Sequence, residues 1–378
     1  MQFPRLYFSH FVLLFICYQI GRKLACSNDA LNFLKENAIE STEFEKSNEL
    51  RLALYSFSEP PAILLLNKHA LNITLNFLCN LQHFSGALDR VLVFAFDAHS
   101  HEAVKMSFPK VKSVHYDVPA LHQRFSATDG RYQLFQLLRA RLCAFLARHF
   151  AKTRTVPGFW MIQSDTIWRT DFFNVFKLDS FPDEDMIFDS EGDVGLLGKM
   201  IAGGYFYSKS SIKNAEFFEE IGDTLMDYYV TDNNLMGKLC LEEFAGVVCG
   251  RLPYSKIVNW RWRRPETLSN PIDLPLFVQF DGGAGAESKF QVMARVGADF
   301  IAFDSLSEKP TRVQCNTKAI SDGVLVNADF FSAASADKAN PVIRFFHQSA
   351  ELVCSVFPSL EYFALTKVFP FWAYYLVV

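Results

Sequence analysis

The sequence carries almost no surplus charge. Its 378 residues sum to a formal −4 at pH 7, and only 21% of them are charged. That excludes a broad basic face for nucleic acid and leaves a small polar ligand as the better match. Internal repeats and low-complexity tracts are absent, which points to one large α/β domain. No two of the eight cysteines have the spacing of a metal clip. The glycine turn Asp281-Gly282-Gly283-Ala284-Gly285 lacks the spacing of a nucleotide fingerprint, and no Lys-Ser or Lys-Thr follows it. What the chain has in quantity is apolar bulk: 50% hydrophobic residues, including 39 phenylalanines, enough for a large aromatic core.

The N-terminal apolar run from Leu6 to Ile20 is long for the core of a signal peptide. It is short for a membrane span, which needs roughly 20 residues. Residues 1–23 therefore read as a signal anchor, or as a signal peptide cleaved near Ala25 or Cys26, with a buried N-terminal helix as the plain alternative. The first two readings send the rest of the chain into the secretory pathway. Arg5 on one side is matched by Arg22 and Lys23 on the other, so the positive-inside rule does not choose an orientation. Seven cysteines follow Cys17. In an oxidising lumen some would pair, and the odd number leaves at least one free or intermolecular. Asn72-Ile73-Thr74 is a glycosylation acceptor sequence, set inside an apolar helical run.

Residues 24–60 are polar and read as a stem or a peripheral helix. From residue 61 the pattern changes to short apolar runs, each stopped by a polar residue. Ala62 to Leu66 stops at Asn67, Arg90 to Phe96 at Asp97, and Phe159 to Ile162 at Gln163-Ser164-Asp165. Helical segments alternate with them, notably Ala70 to Phe84 and Arg131 to Phe150. In the second of these, Phe135, Leu138, Leu142, Phe145 and Leu146 form one stripe with Arg139 at its border. Strands alternating with helices mean a mostly parallel sheet covered on both faces, spanning residues 61–350. Residues 351–378 form an extension that ends in the apolar run Val368 to Val378, a candidate docking strand or interface element.

In such a sheet the residues just past the C-terminal strand ends line one crevice. That rule collects Asn67, Asp97 and Asp165. Gly203 and Gly204, before an aromatic strand, permit close backbone approach. Thr231 or Asp232 reads as a helix N-cap, with Asn233 and Asn234 beside it. A single acid after a strand is more often a cap or turn residue than a ligand. Convergence of several polar strand ends instead suits a phosphate-bearing substrate and a hard divalent cation.

These segments together resemble the nucleotide-diphospho-sugar transferase domain, a glycosyltransferase group with the GT-A type of α/β, Rossmann-like fold. The matching stretches are ILLLNKHALNITLNFLCNL, LVFAFD, YQLFQLLRARLCAFL, WMIQSDTIWRTDFF, MIAGGYFYSKSS, TDNNLMGKLC and FVQFDGG, between about residues 60 and 305. The family places Asp-x-Asp where Gln163-Ser164-Asp165 stands, followed by a bulky residue and Trp, here Ile167-Trp168. The resemblance implies that Asp165 holds Mn²⁺ or Mg²⁺ at the donor diphosphate, with His347 as a further metal ligand. Gln163 in place of the first acid can still bind the donor by a hydrogen bond to a ribose or a metal-bound water, but it removes a negative charge, which weakens cation affinity. By the same resemblance Asn67 and Asp97 meet base and ribose, and Arg139 and Arg141 neutralise phosphate. Gly203 and Gly204 face the sugar, Asp232, Asn233 and Asn234 touch donor sugar or acceptor, and Asp281 and Gly282 belong to the donor-binding residues.

The expectation is a glycosyltransferase moving a sugar from a nucleotide-diphosphate donor to a glycan or glycoprotein acceptor. It would act in the Golgi or endoplasmic reticulum as a single-pass type II protein, or be secreted. An inverting reaction would also need a carboxylate base, for which Asp189, Glu191 and Asp281 are available. Two competing readings are a catalytically inactive descendant that still binds nucleotide sugar or glycan, and a lumenal scaffold whose polar strand ends are only caps.

Overall fold

The computed structural model of the chain describes residues 8–125, 129–193, 195–259, 275–280, 289–295, 297–302, 312–324, 349 and 351–371. Its first half runs α1 (Phe8–Asn37), α2 (Asn48–Tyr55), β1 (Ala62–Leu66), α3 (Leu71–Gln82), β2 (Val91–Ala95), α4 (Ala98–Ser107), β3 (Lys112–His115), α5 (Gly130–Thr153) and β4 (Gly158–Ile162). Then come β5 (Thr166–Trp168), α6 (Phe172–Val175), β6 (Met186–Ser190), α7 (Gly195–Lys199), β7 (Ile201–Lys209), α8 (Ile212–Asp227) and α9 (Asp232–Leu241). These are followed by β8 (Cys249–Arg251), β9 (Ile257–Val258), β10 (Phe277–Gln279) and α10 (Lys289–Arg295).

Seven strands form one sheet in the order β3-β2-β1-β4-β7-β6-β8. Neighbours are parallel except β7, which runs against both β4 and β6. The mostly parallel α/β sheet expected from the sequence is thus the architecture found. Because side chains alternate along a strand, Ala62, Leu64 and Leu66 enter one core while Ile63 enters the other. On the first face Leu75, Phe77 and Leu78 of α3 close the core, and on the second α5 packs against α8 and α1, while α8 also reaches the sheet through Phe217 on Phe188 and Phe218 on Phe206. That position explains a difference from the expected stripe: α5 is buried almost all round from Gln133 to Ala147, because it is packed on several sides.

Residues 24–60 are built into the domain. Ala30, Leu34, Phe44, Leu50 and Leu54 are all buried, the last four in the α5 core. The helix α1 runs without a break across residue 23, and its first half leaves Phe11, Leu13, Leu14, Phe15 and Tyr18 exposed. Among the described residues no helix is long and apolar enough to cross a membrane. Disulfides join Cys79 to Cys315 and Cys240 to Cys249, while Cys17, Cys26, Cys143 and Cys354 are free. Of the apolar run Val368 to Val378, residues 368–371 are helical, with Phe371 against Tyr228, and the rest lies outside the described residues.

Candidate active site

β1 leads away to β2 on one side, while β4 lies on its other side, so the sheet order reverses between β1 and β4. In open α/β sheets a crevice forms at the C-terminal ends of the strands at such a point. A cleft of about 650 Å³ is found there. Asn67 lines it from the end of β1, Phe96 from the end of β2, and Gln163, Ser164 and Asp165 from the end of β4. Tyr132, Gln136 and Arg139 come from α5, Gly204 from β7, Asp232, Asn233 and Asn234 from α9, and Lys289 from α10.

The turn after β4 is held from three sides. The Gln163 carbonyl accepts the Tyr205 hydroxyl at 2.8 Å, and the Asp165 carbonyl accepts from Phe280 N at 2.7 Å. Three residues further on, the Trp168 backbone exchanges two hydrogen bonds with the Asn80 side chain. A second, three-stranded sheet, β5-β10-β9, pairs Thr166 with Gln279. It sets Gln279 Nε2 to donate to the Gln163 side-chain oxygen. The Asp165 side chain, 6% exposed, thus stands on a fixed backbone, and its Oδ2 accepts from Lys289 Nζ at 2.6 Å. Its Oδ1 is buried with no partner among the described residues, so this carboxylate has unused acceptor capacity.

Arg139 Nη2 lies 2.5 Å from Asp232 Oδ2, and Nη1 donates to the Gly203 carbonyl at 2.8 Å. Burial alone would lower the Arg139 pKa, but the adjacent Asp232 charge and its hydrogen bond outweigh that and raise it. Asp232 is therefore an ion-pair partner. The expected capping by Thr231 or Asp232 is not made by Thr231, whose hydroxyl is buried without a described partner. Asn233 Nδ2 donates to the Ile201 carbonyl at 3.2 Å.

The structure corrects several expectations. Arg141 does not reach the cleft: two helical residues from Arg139, it points about 200° away around α5. It pairs there with Glu219 at 2.5 Å and Asp223 at 2.7 Å. Gly222 makes room for it, since a Cβ there would stand 2.8 Å from the guanidinium. Asp97 is not on the cleft lining either. It caps α4, accepting from Ser100 N at 2.8 Å and Ser100 Oγ at 2.9 Å, and also accepts from Lys68 N at 2.7 Å. Asn67 lines the cleft but spends its oxygen on the backbone of His69 and Ala70 and its amide on the Leu121 carbonyl. Gly203 lies behind the lining, while Gly204 is on it. Asn72 is half-buried in the first turn of α3, and Thr74 is wholly buried. Asp281, Gly282 and His347 lie outside the described residues.

Of the candidate bases, Asp189 is sealed. Its carboxylate accepts from the backbone N–H of Gly203, Gly204 and Tyr205, and burial pushes its pKa up to about 7. Glu191 lines the cleft. The residues that the strand-end rule missed are Lys289 and Gln279, because each meets its partner from more than 100 residues away in sequence.

For a divalent cation the described cleft offers Asp165 Oδ1, a buried carboxylate oxygen without a described partner. Among the described residues no group of three or more His, Cys, Asp or Glu side chains could hold one. An ammonium already sits on Asp165 Oδ2, and the Gln163 oxygen is taken by Gln279. A hard cation held by one carboxylate would take its other oxygens from substrate phosphate and water.

An α/β sheet with a polar cleft at its switch point defines a ligand-binding or transferase-type domain. The family profile of the nucleotide-diphospho-sugar transferases matches residues 86–293, more than half of the chain, and the chain belongs to that family. No curated protein matches in sequence. Among solved structures, the apo bifunctional glycosyltransferase WbbM shares 14% identity and a TM-score of 0.39 over 62% of this chain and 47% of its own. Mouse xyloside xylosyltransferase 1 shares 11% identity and a TM-score of 0.39 over 61% of this chain and 100% of its own. The galactosyltransferase LgtC, in complex with donor and acceptor sugar analogues, shares 10% identity and a TM-score of 0.40 over 60% and 88%.

Proposed function

We propose that the cleft binds a nucleotide-diphosphate sugar and transfers its sugar to a hydroxyl of a glycan or glycoprotein. The observation that supports this reading is the cleft itself, at the switch point of a chain belonging to the nucleotide-diphospho-sugar transferase family. In the transfer, the bond between the anomeric carbon and the β-phosphate oxygen breaks, and its electron pair stays on the diphosphate. The acceptor oxygen bonds to the anomeric carbon and its proton passes to a base. Charge grows on the leaving diphosphate, so fixed positive groups at that point lower the barrier. Lys289 is placed for that role, and Arg139 keeps the cleft wall rigid through Asp232 and Gly203. If the transfer inverts configuration, Glu191 is the described carboxylate on the cleft suited to take the proton.

For location, the reading is a lumenal domain tethered by the N-terminal segment in the Golgi or endoplasmic reticulum. Two disulfides and the exposed apolar first half of α1 support it. The test is a panel of nucleotide sugars with the purified full-length chain, with and without Mn²⁺ or Mg²⁺, scored for release of the nucleoside diphosphate and for thermal stabilisation. A specific donor should raise the melting temperature and turn over. Stabilisation without turnover for every donor would favour an inactive binding protein, and neither effect would leave the scaffold reading.

A further inference from the structure

We propose that the base of the donor stacks on Phe125, in an aromatic wall at the β1–β2 end of the cleft. This rests on the transferase reading of the cleft and says which end takes the nucleoside and which the sugar. The two ends differ in chemistry. Towards β1 and β2 the lining includes Phe96, Phe125 and Phe135, and none of the described lining residues there is acidic. Towards β7, β6 and α9 it includes Gly204, Glu191, Asp232 and Asn234. A base is flat and aromatic, whereas a sugar is a ring of hydroxyls that pairs with carboxylates and amides. The first end therefore matches the nucleoside and the second the sugar, with Asp165 between them at the end of β4.

The rings of the wall form one connected group. Phe96 meets Phe135 edge to face at 6.2 Å, and Phe125 lies 6.0 Å from Phe135 and 6.3 Å from Tyr132. Phe96 is buried and anchors the group in the core, while Phe125 and Phe135 are half-buried on the cleft. The segment that leads to Phe125 is laced to the strand ends. Val118 N donates to the Phe96 carbonyl at 3.1 Å, the Asn67 amide donates to the Leu121 carbonyl at 3.1 Å, and His69 Nε2 lies 3.0 Å from the His122 carbonyl. The side chains expected to meet base and ribose, Asn67 and Asp97, thus hydrogen-bond the protein instead. Asn67 holds the wall, and the wall presents a ring to the cleft. Aromatic side chains bind bases through their faces, and every base has a face to offer.

The experiment is calorimetric titration of the purified full-length chain with UDP and with GDP in the presence of Mn²⁺, for the parent, Phe125→Leu and Phe125→Trp. The parent should bind at least one of the two nucleotides. Leucine keeps apolar bulk without a π face, so Phe125→Leu should weaken that binding by about tenfold or more, while Phe125→Trp should stay within about threefold of the parent. A residue that only packs the wall would show the opposite order, since leucine fills the space with less strain than the larger indole. Circular dichroism melting checks that both variants fold, and should Phe125→Leu not fold, Phe125→Met is measured in its place. A leucine or methionine variant that binds as the parent does, or a tryptophan variant as weak as they are, overturns the inference and leaves the transferase reading standing. No binding of either nucleotide by the parent overturns both.

Discussion

Arg139 and Asp232 form an ion pair beneath the cleft with both side chains almost sealed from water, 8% and 3% exposed. The pair joins the central helix α5 to the first residue of α9, and the same guanidinium holds the Gly203 carbonyl. Removing one partner leaves a buried charge uncompensated, which costs about 3–5 kcal/mol. Asp232→Ala should therefore lose that much in urea unfolding. The double variant Arg139→Met with Asp232→Leu should lose clearly less than the sum of the single changes. Additive losses would mean that the two side chains do not act as a pair.

A second prediction concerns pH. Burial raises the Asp189 carboxyl to about 7, against the backbone N–H groups of Tyr205, Gly203 and Gly204 and the charge of Arg139. In the unfolded chain it titrates near the usual value of about 4. Between those values the folded chain binds the extra proton, so stability from this group is complete below about pH 4 and is lost as pH rises towards 7. The loss is of the order of 4 kcal/mol. Asp189→Asn stays neutral throughout, so its unfolding free energy should gain on that of the parent between pH 5 and 8. A gap that does not change with pH would show that Asp189 is ionised across the range.

The strands and the mouth of the cleft were legible in the sequence for a simple reason. Apolar runs of five residues stopped by Asn67 or by Gln163-Ser164-Asp165 mark buried parallel strands and their C-terminal ends, and the fold places those ends together. Asp97 shows the limit of that signal: the same strand-end position serves as a helix cap, and only the geometry tells the two uses apart. Arg139 and Arg141 looked equivalent along the chain, yet a step of two residues on a helix sends them to opposite sides. Lys289 left no local mark at all, since its meaning lies in a contact with a residue 124 positions earlier.

Gly203 gives a third prediction. Its φ is +74°, in the region that favours glycine, and a Cβ there would lie 2.8 Å from the Cβ of Asn233. Gly203→Ala should cost about 1–3 kcal/mol from backbone strain, with the displaced α9 adding to it. Because the Gly203 carbonyl is a partner of Arg139, the variant should also weaken nucleotide binding. Chemical unfolding and UDP titration measure the two effects, and an unchanged midpoint would show that α9 yields freely.

The two disulfides should differ in worth. Cys79–Cys315 closes a loop of sequence separation 236, tying α3 to a segment near the far end of the domain, while Cys240–Cys249 spans a separation of only 9. Cross-linking limits the unfolded chain more when the loop is longer, so the first bond is worth roughly 5–6 kcal/mol and the second about 2–3 kcal/mol. Cys79→Ser with Cys315→Ser should accordingly lower the urea midpoint further than Cys240→Ser with Cys249→Ser. Cys79 lies on the helix that holds the Trp168 backbone through Asn80, three residues past Asp165. Loss of the long cross-link should therefore loosen the cleft as well as the fold, seen as weaker nucleotide binding in the first variant and not in the second. Equal binding losses would mean that α3 does not transmit the cross-link to the site.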